Sequence, residues 1–118
     1  MKALYGALFA LALALAAPLP ASAQSGDAKL DFLGYCVASG NSASYCACLT
    51  DSLAAAVTPE QLAIYMDYLK LLESGQRDEH VIIKTLKEKH GVKGKELAAA
   101  LQAASTAATA AEKTCAGL

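Results

Sequence analysis

The sequence predicts an all-α domain: a small bundle of four to five helices, stapled by disulfides, that follows a cleaved signal peptide. Three observations support this class. Apolar residues recur at spacings of three and four along most of the chain. Four cysteines stand at positions 36, 46, 48 and 115. No segment shows the strict alternation of apolar and polar residues that is typical of a strand. A chain of 118 residues is long enough for one domain.

The first 23 residues have the pattern of a secretory signal peptide. Lys2 gives a positive start, Ala3 to Ala17 form an unbroken apolar run, and Ala21-Ser22-Ala23 places small residues before a cleavage site. The apolar run is shorter than the roughly 18–20 residues that a membrane span needs. We therefore expect residues 1–23 to be removed and residues 24–118 to form a helical domain, periplasmic or secreted from a bacterium, with no stable membrane insertion.

The composition of the chain limits the functions that it can be expected to have. Without residues 1–23, nine Lys and Arg residues stand against eleven Asp and Glu residues, a net charge near −2. This balance does not favour nucleic acid or an anionic membrane as a partner. Four cysteines in an exported protein are expected to form two disulfides. The sequence has no HExxH motif, no Gly-rich phosphate loop and no nucleophile elbow, so we expect no catalytic residue and no cofactor.

The first helix of the domain is expected to begin after the signal region. Pro18 and Pro20 should interrupt any earlier helix, and Ser25 or Asp27 can cap the new one. Apolar residues at helical spacing mark one face of this helix, and two more lie on the adjoining side: Leu30, Leu33 and Val37, then Phe32 and Cys36. The first helix should end at Ser39-Gly40.

Short connections separate the later helices. Asn41 or Ser42 caps a second helix from about Ala43 to Ala56, and the short gap predicts an antiparallel hairpin with the first. Thr58-Pro59-Glu60-Gln61 combines an N-cap, a proline at the first helical position and a capping-box glutamine, so a third helix starts there.

Four further boundaries complete the predicted bundle. The third helix should end at Ser74-Gly75, a fourth should run from the cap Asp78 to Gly91, and a last helix should begin near Lys95. The last helix carries a stripe of apolar and small residues: Leu97, Leu101, Ala104, Ala108, Ala111 and Cys115. Small side chains in this stripe let another helix approach closely, so we expect the last helix to be packed and covalently anchored.

The four cysteines allow three pairings. Cys46 and Cys48 point about 200° apart around the second helix, so they face different neighbours. We favour Cys36–Cys46 with Cys48–Cys115 over the swapped arrangement, in which Cys36 pairs with Cys48. The redox alternative is a strained Cys46–Cys48 disulfide that cycles with its dithiol. The thioredoxin spacing of two intervening residues and a βαβ pattern are absent, so structural disulfides are favoured.

Two sets of residues are candidate interface residues. Tyrosines with a polar tip occur on three consecutive helices: Tyr35, Tyr45, Tyr65 and Tyr68. Basic residues cluster around the fourth helix: Lys84, Lys87, Lys89, His90, Lys93 and Lys95. Core-edge packing of the tyrosines and a solvated helix face are the simpler interpretations. His80 and His90 lie about 15 Å apart along one helix and cannot share a metal ion, so we expect no metal site.

One part of the chain resembles a known family. The run Cys36-x9-Cys46, an Ala/Leu helix, Val57-Thr58-Pro59-Glu60-Gln61-Leu62 and then Tyr68-Leu69 resembles the small periplasmic immunity proteins that protect bacteria against type VI amidase effectors. The likeness covers Leu33 to Leu72. It implies an all-helical, disulfide-bonded protein and is compatible with a homodimer.

The chain departs from that family in two places. Its members typically carry a glycine-bearing motif after the second cysteine, where this chain has Cys48-Leu49-Thr50, and the Ala-rich last helix has no counterpart there. The chain equally resembles uncharacterised exported bacterial proteins with a Cys…Tyr-Cys-x-Cys hairpin. That resemblance implies fold and compartment only.

The sequence favours a non-enzymatic, periplasmic helical module that binds another periplasmic protein. An immunity protein that neutralises an effector is the most concrete form of this hypothesis. A periplasmic stress chaperone and a thiol–disulfide oxidoreductase that uses Cys46 and Cys48 are the alternatives.

Overall fold

Five helices follow one another in the computed structural model, which describes residues 19–118. They are α1 (Leu19–Ala38), α2 (Ala43–Ala56), α3 (Pro59–Glu73), α4 (Glu79–His90) and α5 (Gly94–Cys115). Residues 19–118 contain no strand, and none of their helices is long and apolar enough to cross a membrane. The predicted all-α class is confirmed. Residues 1–18, with most of the predicted signal peptide, lie outside the described range.

Helix α1 begins earlier than the sequence suggested. It starts at Leu19 and continues through Ser25 and Asp27, so neither of these residues caps it. Pro20 is the second residue of the helix. A proline is tolerated in the first turn because its missing N–H would have no intrahelical partner there. Pro20 therefore lies at a helix start, where the prediction had it interrupt a helix.

The later helix boundaries follow local capping chemistry. Ser42 caps α2, since its Oγ accepts a hydrogen bond from Tyr45 N at 3.1 Å. Asn41, the other candidate, donates from Nδ2 to the Cys36 carbonyl instead, at 3.1 Å. Gly40, with φ of 95°, makes the turn between α1 and α2, a conformation that glycine adopts without a steric cost.

Helices α3 and α4 both begin at the predicted caps. Thr58 Oγ1 accepts from Gln61 N at 3.1 Å, and Thr58 N donates to Gln61 Oε1 at 3.0 Å, which completes the capping box. Asp78 Oδ1 accepts from His80 N and Val81 N at 3.0 and 3.4 Å. Each cap satisfies backbone N–H groups that have no partner inside the helix.

Buried side chains form two clusters that share α3 and α5. The larger cluster joins α1, α2, α3 and α5, and its fully buried centre includes Cys46, Leu53 and Ala104. The smaller cluster joins α3, α4 and α5 and consists of Ile64, Ile82, Leu86, Leu97 and Ala100. Helix α4 is thus held to the bundle by the smaller cluster, while α1 and α2 belong to the larger one.

Two disulfides fasten α2 to the first and the last helix of the bundle, α1 and α5. Cys36 at the end of α1 is bonded to Cys46, with 5.7 Å between Cα atoms. Cys48 is bonded to Cys115 at the end of α5, with 5.9 Å between Cα atoms. This is the pairing that the sequence favoured. Cys46 and Cys48 lie on different sides of α2, as the helical rotation requires, so one helix is linked to two others.

The apolar face of α1 differs from the predicted one. Ala28, Phe32 and Cys36 are buried, whereas Leu30 is 67% exposed and Val37 is 46% exposed. The disulfide accounts for this orientation. Cys36 must face Cys46, and residues four apart share a helix face, so Phe32 and Ala28 turn inward with it. The face marked by Leu30 and Val37 therefore points away from the core.

Candidate binding groove

Helices α3, α4 and α5 enclose an open groove of about 810 Å³, here called the α3–α5 groove. Each helix contributes apolar side chains to its lining: Tyr65, Tyr68 and Leu72 from α3, Ile82 and Ile83 from α4, Leu97 and Leu101 from α5. The groove lies over the smaller core cluster, since Ile82 and Leu97 belong to both. All three walls are helices, and the groove is present in the chain without a partner.

Polar side chains complete the lining of the α3–α5 groove. Arg77 lies in the connection between α3 and α4, and Glu79 lies in the first turn of α4. Three more polar residues come from α5: Gln102, Ser105 and Thr106. Arg77 Nη1 donates to the Leu72 and Gln76 carbonyls at 2.6 and 3.0 Å. These bonds fix the guanidinium group where α3 ends. The groove therefore offers an apolar surface with hydrogen-bonding groups among it, as protein-binding and ligand-binding sites do.

The four tyrosines of the predicted interface are all partly buried. Three of them, Tyr35, Tyr65 and Tyr68, lie near one another. Burial raises the pKa of Tyr65 above its ordinary value, and the nearby Glu112 carboxylate and the phenols of Tyr35 and Tyr68 raise it further. Tyr65 and Tyr68 line the α3–α5 groove. Tyr45 lies on α2 and packs against the larger core cluster. Two of the four thus lie in the groove, and each also packs against the core.

The predicted basic cluster divides into two parts. Lys84 and Lys87 are exposed on α4. Lys89 Nζ and His90 Nε2 instead contact one carboxylate oxygen of Asp67 on α3, at 3.1 and 2.8 Å. The Asp67 and His90 side chains are only 17% and 13% exposed. The two residues therefore link α4 to α3, a structural role that the sequence did not indicate because they lie on different helices.

All four cysteines are held in disulfides, and no free cysteine remains. Cys46 and Cys115 are fully buried, and Cys36 is 4% exposed. The redox alternative requires a bond between Cys46 and Cys48, but each of these residues is bonded to a cysteine on another helix. The geometry is that of structural disulfides.

A second, smaller recess lies between α1 and α2, and sequence reasoning missed it. Its volume is about 370 Å³, and its lining consists of Lys29, Leu30, Leu33, Ala47, Thr50 and Asp51. Thr50 is only 4% exposed, and its hydroxyl has no hydrogen-bond partner in the part of the chain whose side chains the structure describes, residues 28–118. We call this the α1–α2 recess. The exposed Leu30 side chain lies beside this recess, but the sequence does not show that Leu30 is exposed, because its exposure depends on the orientation of α1.

No protein-family model matches the chain, and comparisons with curated proteins and with solved structures find no match. Among the side chains of the described residues, no group of three or more His, Cys, Asp or Glu is placed to hold a metal ion. The geometry of the α3–α5 groove and of the two disulfides is therefore the basis for assigning a function.

Proposed function

We propose that this chain is an exported bacterial protein, working in the periplasm, that binds another protein through the α3–α5 groove. The observation that carries the proposal is the groove itself, a preformed surface between three helices with partly exposed apolar and aromatic side chains. The two disulfides are compatible with an oxidising compartment outside the cytoplasm.

The aromatic residues of the groove suit a protein interface. Tyr65 and Tyr68 present an apolar ring and a polar tip, and tyrosine is enriched at the centres of interfaces. Ile83 lines the groove and remains 36% exposed. Because these side chains stand on helices joined by a common core, little conformational entropy is lost when a partner binds.

Charge on α4 indicates what kind of partner fits. Lys84 and Lys87 are exposed, and neither makes an ion pair within 4 Å with any side chain of residues 28–118. Lys87 follows Ile83 by four residues, so it stands on the same side of α4 as the groove wall. Opposite charges on a partner would steer its approach and fix its orientation. We therefore expect an acidic segment to lie beside the apolar contact.

The most concrete form of this function is an immunity protein that neutralises a type VI amidase effector. Such a protein would form a tight one-to-one complex with its effector and block cell-wall hydrolysis. The test is to titrate a purified amidase effector encoded beside this chain with the oxidised protein, and to measure hydrolysis of peptidoglycan. Full inhibition at equimolar protein would support this form, and unchanged hydrolysis in excess protein would reject it.

The alternatives have less support. A thiol–disulfide oxidoreductase needs an accessible cysteine pair, and the two disulfides are largely buried between different helices. A periplasmic stress chaperone would expose apolar surface in acid. Binding of a hydrophobic dye between pH 7 and pH 2 would separate the chaperone from the binding module, since the module should show a flat response while its fold persists.

The wider proposal is tested by two matched substitutions on α4. Ile83→Arg places a charge in the groove, whereas Val81→Arg places the same charge on the same helix at a residue that is 42% exposed and lies outside the groove. A partner isolated with the wild-type protein should bind the Val81→Arg variant equally well and the Ile83→Arg variant at least about tenfold more weakly. Equal binding to both variants would remove the groove from the proposal.

A further inference from the structure

The α1–α2 recess is separate from the α3–α5 groove and is lined by different residues. Its volume of about 370 Å³ lies within the range of small-molecule sites in proteins, roughly 300–1,000 Å³. Both helices supply apolar side chains: Leu30 and Leu33 come from α1, and Ala47 comes from α2. Leu33 also packs against the larger core cluster. The recess is therefore an apolar pocket between two helices that the Cys36–Cys46 disulfide holds together.

One polar side chain of the recess lacks a partner. Thr50 lines the recess and is only 4% exposed, and its hydroxyl makes no hydrogen bond in the part of the chain whose side chains the structure describes. Thr109 and Thr114, which are also helical, each donate to the carbonyl oxygen four residues earlier. A buried hydroxyl without a partner is destabilising. A hydrogen bond from a bound molecule would remove this cost.

The Thr50 hydroxyl can reach a molecule in the recess without a change in the backbone. Its oxygen is covered in the free chain. A threonine on a helix has two accessible χ1 rotamers, and a rotation of about 120° between them moves the oxygen to another side of the Cβ atom. Because Thr50 forms part of the wall, such a rotation can turn its hydroxyl toward a ligand. The hydroxyl can then donate to a carbonyl oxygen or accept from another hydroxyl group.

The charged residues of the recess favour a neutral ligand. Lys29 Nζ and Asp51 Oδ1 are 3.2 Å apart, and their side chains are 48% and 73% exposed. They are the two charged residues of the lining, and each neutralises the other. An anion would compete with Asp51 for Lys29, and a cation would compete with Lys29 for Asp51. A charged ligand therefore gains little from either residue.

We propose that the α1–α2 recess binds a small, neutral and mainly apolar molecule that carries one hydroxyl or carbonyl group, such as an aromatic or a medium-chain alcohol. Its apolar part packs against Leu30, Leu33 and Ala47, and its polar group forms a hydrogen bond with the Thr50 hydroxyl. Since a water molecule takes up about 30 Å³ in the liquid, the recess has room for about a dozen non-hydrogen atoms. Binding here is independent of the proposed protein-binding groove, because the two share no lining residue.

Benzyl alcohol is the probe that tests this proposal, and ethylbenzene is a probe of the same size without the hydroxyl. The measurement is a titration followed by NMR at the backbone amides of the isotopically labelled, oxidised protein. We expect benzyl alcohol to shift the signals of residues 29–33 and 47–51 until they saturate. The dissociation constant should be on the order of 1 mM, as about eight non-hydrogen atoms allow. Thr50→Val should weaken binding of benzyl alcohol about fivefold and leave ethylbenzene unaffected.

Two substitutions on α2 form a matched pair for the same titration. Ala47 and Ala55 are both exposed, and Ala47 lines the recess whereas Ala55 does not. Ala47→Leu should fill the recess and abolish the shifts caused by benzyl alcohol. Ala55→Leu adds the same side chain elsewhere on the helix and should bind as the wild type does. The amide spectra also show whether each variant is folded.

Four results would overturn the proposal. Recess signals that do not move with benzyl alcohol would mean that there is no site. Equal affinity of the wild-type and Thr50→Val proteins would show that the hydroxyl takes no part in binding. Retained binding in Ala47→Leu would place the probe elsewhere on the chain. Tighter binding of benzoate than of benzyl alcohol would show that the recess prefers an anion to a neutral molecule.

Discussion

Thr50 is a buried polar residue whose hydroxyl has no partner within the described chain. A buried, unpaired hydroxyl costs roughly 1–3 kcal/mol. Thr50→Val keeps the shape and the β-branched side chain while it removes the hydroxyl. We expect the variant to raise the free energy of unfolding by about 1 kcal/mol, measured by urea denaturation.

Thr109 is the control for this substitution. Its hydroxyl donates to the Ser105 carbonyl at 3.0 Å on the exposed side of α5. Thr109→Val removes a satisfied, exposed hydroxyl and should change stability by less than about 0.5 kcal/mol. A loss of stability in Thr50→Val would mean that its hydroxyl has a partner in solution.

Ionisation of the Tyr65 phenol should lower the free energy of unfolding in alkaline solution. Its pKa is raised in the folded protein, chiefly by burial, so the unfolded chain loses this proton first as the pH rises. Between the ordinary value of about 10 and the raised pKa, the folded state binds more protons than the unfolded state, and the free energy of unfolding decreases. Below that window the contribution of Tyr65 is constant.

The measurement is denaturant unfolding at a series of pH values on both sides of the ordinary tyrosine pKa. Tyr65→Phe should make the alkaline decrease shallower, and Tyr45→Phe, which removes a phenol from α2 outside the group of Tyr35, Tyr65 and Tyr68, is the matched substitution. The same slope in all three proteins would show that Tyr65 ionises as freely in the folded chain as in the unfolded one.

At the scale of single elements, α4 depends on a polar link to α3. One carboxylate oxygen of Asp67 contacts both Lys89 and His90, and the Asp67 side chain is partly buried. Asp67→Asn removes the charge while it keeps the side-chain size, and we expect a loss of about 1 kcal/mol in the free energy of unfolding. Hydrogen exchange should show the largest loss of protection in α4, because its other attachment is the smaller core cluster.

Asp31→Asn is a matched control for the link between α3 and α4. Asp31 pairs with Lys70 at 3.0 Å, but both side chains are about half exposed. Exposed ion pairs contribute little, so this variant should be close to wild type. An equal effect of both substitutions would mean that the burial of Asp67 and His90 does not matter.

The elements also show which features a sequence can predict. Thr58, Pro59 and Gln61 lie within four residues, and their cap depends on nothing distant, so the start of α3 was predicted correctly. The orientation of α1 was not, because Leu30 and Phe32 are both apolar and local periodicity cannot choose between them. The disulfide at Cys36 makes that choice, and it is a contact with another helix.

The same limit applies to the candidate site. Tyr65 and Tyr68 were recognised as interface candidates from their type and spacing alone. The α3–α5 groove needs three helices at fixed angles, and the Asp67–His90 contact joins residues 23 positions apart. Neither feature follows from the residue pattern of a single helix, so the sequence alone does not predict either of them.

At the scale of the whole molecule, the two disulfides should differ in their effect on stability. Cys48–Cys115 spans 67 residues, whereas Cys36–Cys46 spans 10. On the chain-entropy model, the longer loop stabilises the fold by about 4 kcal/mol and the shorter by about 3 kcal/mol. We expect the Cys48→Ala/Cys115→Ala protein to unfold at lower denaturant concentration than the Cys36→Ala/Cys46→Ala protein. The reverse order would show that native packing, rather than chain entropy, sets the contribution.

The proposed location makes a prediction about the mature chain. If residues 1–23 are a signal peptide, protein recovered from the periplasm should begin at Gln24, as mass spectrometry of the intact protein would show. Replacing the apolar residues Leu11 and Leu13 with Arg should block export and leave the precursor in the cytoplasm, with its cysteines reduced. Recovery of the chain with residues 1–23 still attached would argue against cleavage.

The Cys48–Cys115 bond also makes residues 48–115 a closed covalent ring. The ring contains α3, α4 and the whole lining of the α3–α5 groove, together with the largely exposed connections at 75–78 and 91–93. A protease that cuts either connection opens the ring but releases no fragment. The groove can thus stay assembled after a first cut, and only a second cut would detach part of it, which would protect the binding site if the chain works at the proposed location, where proteases are present.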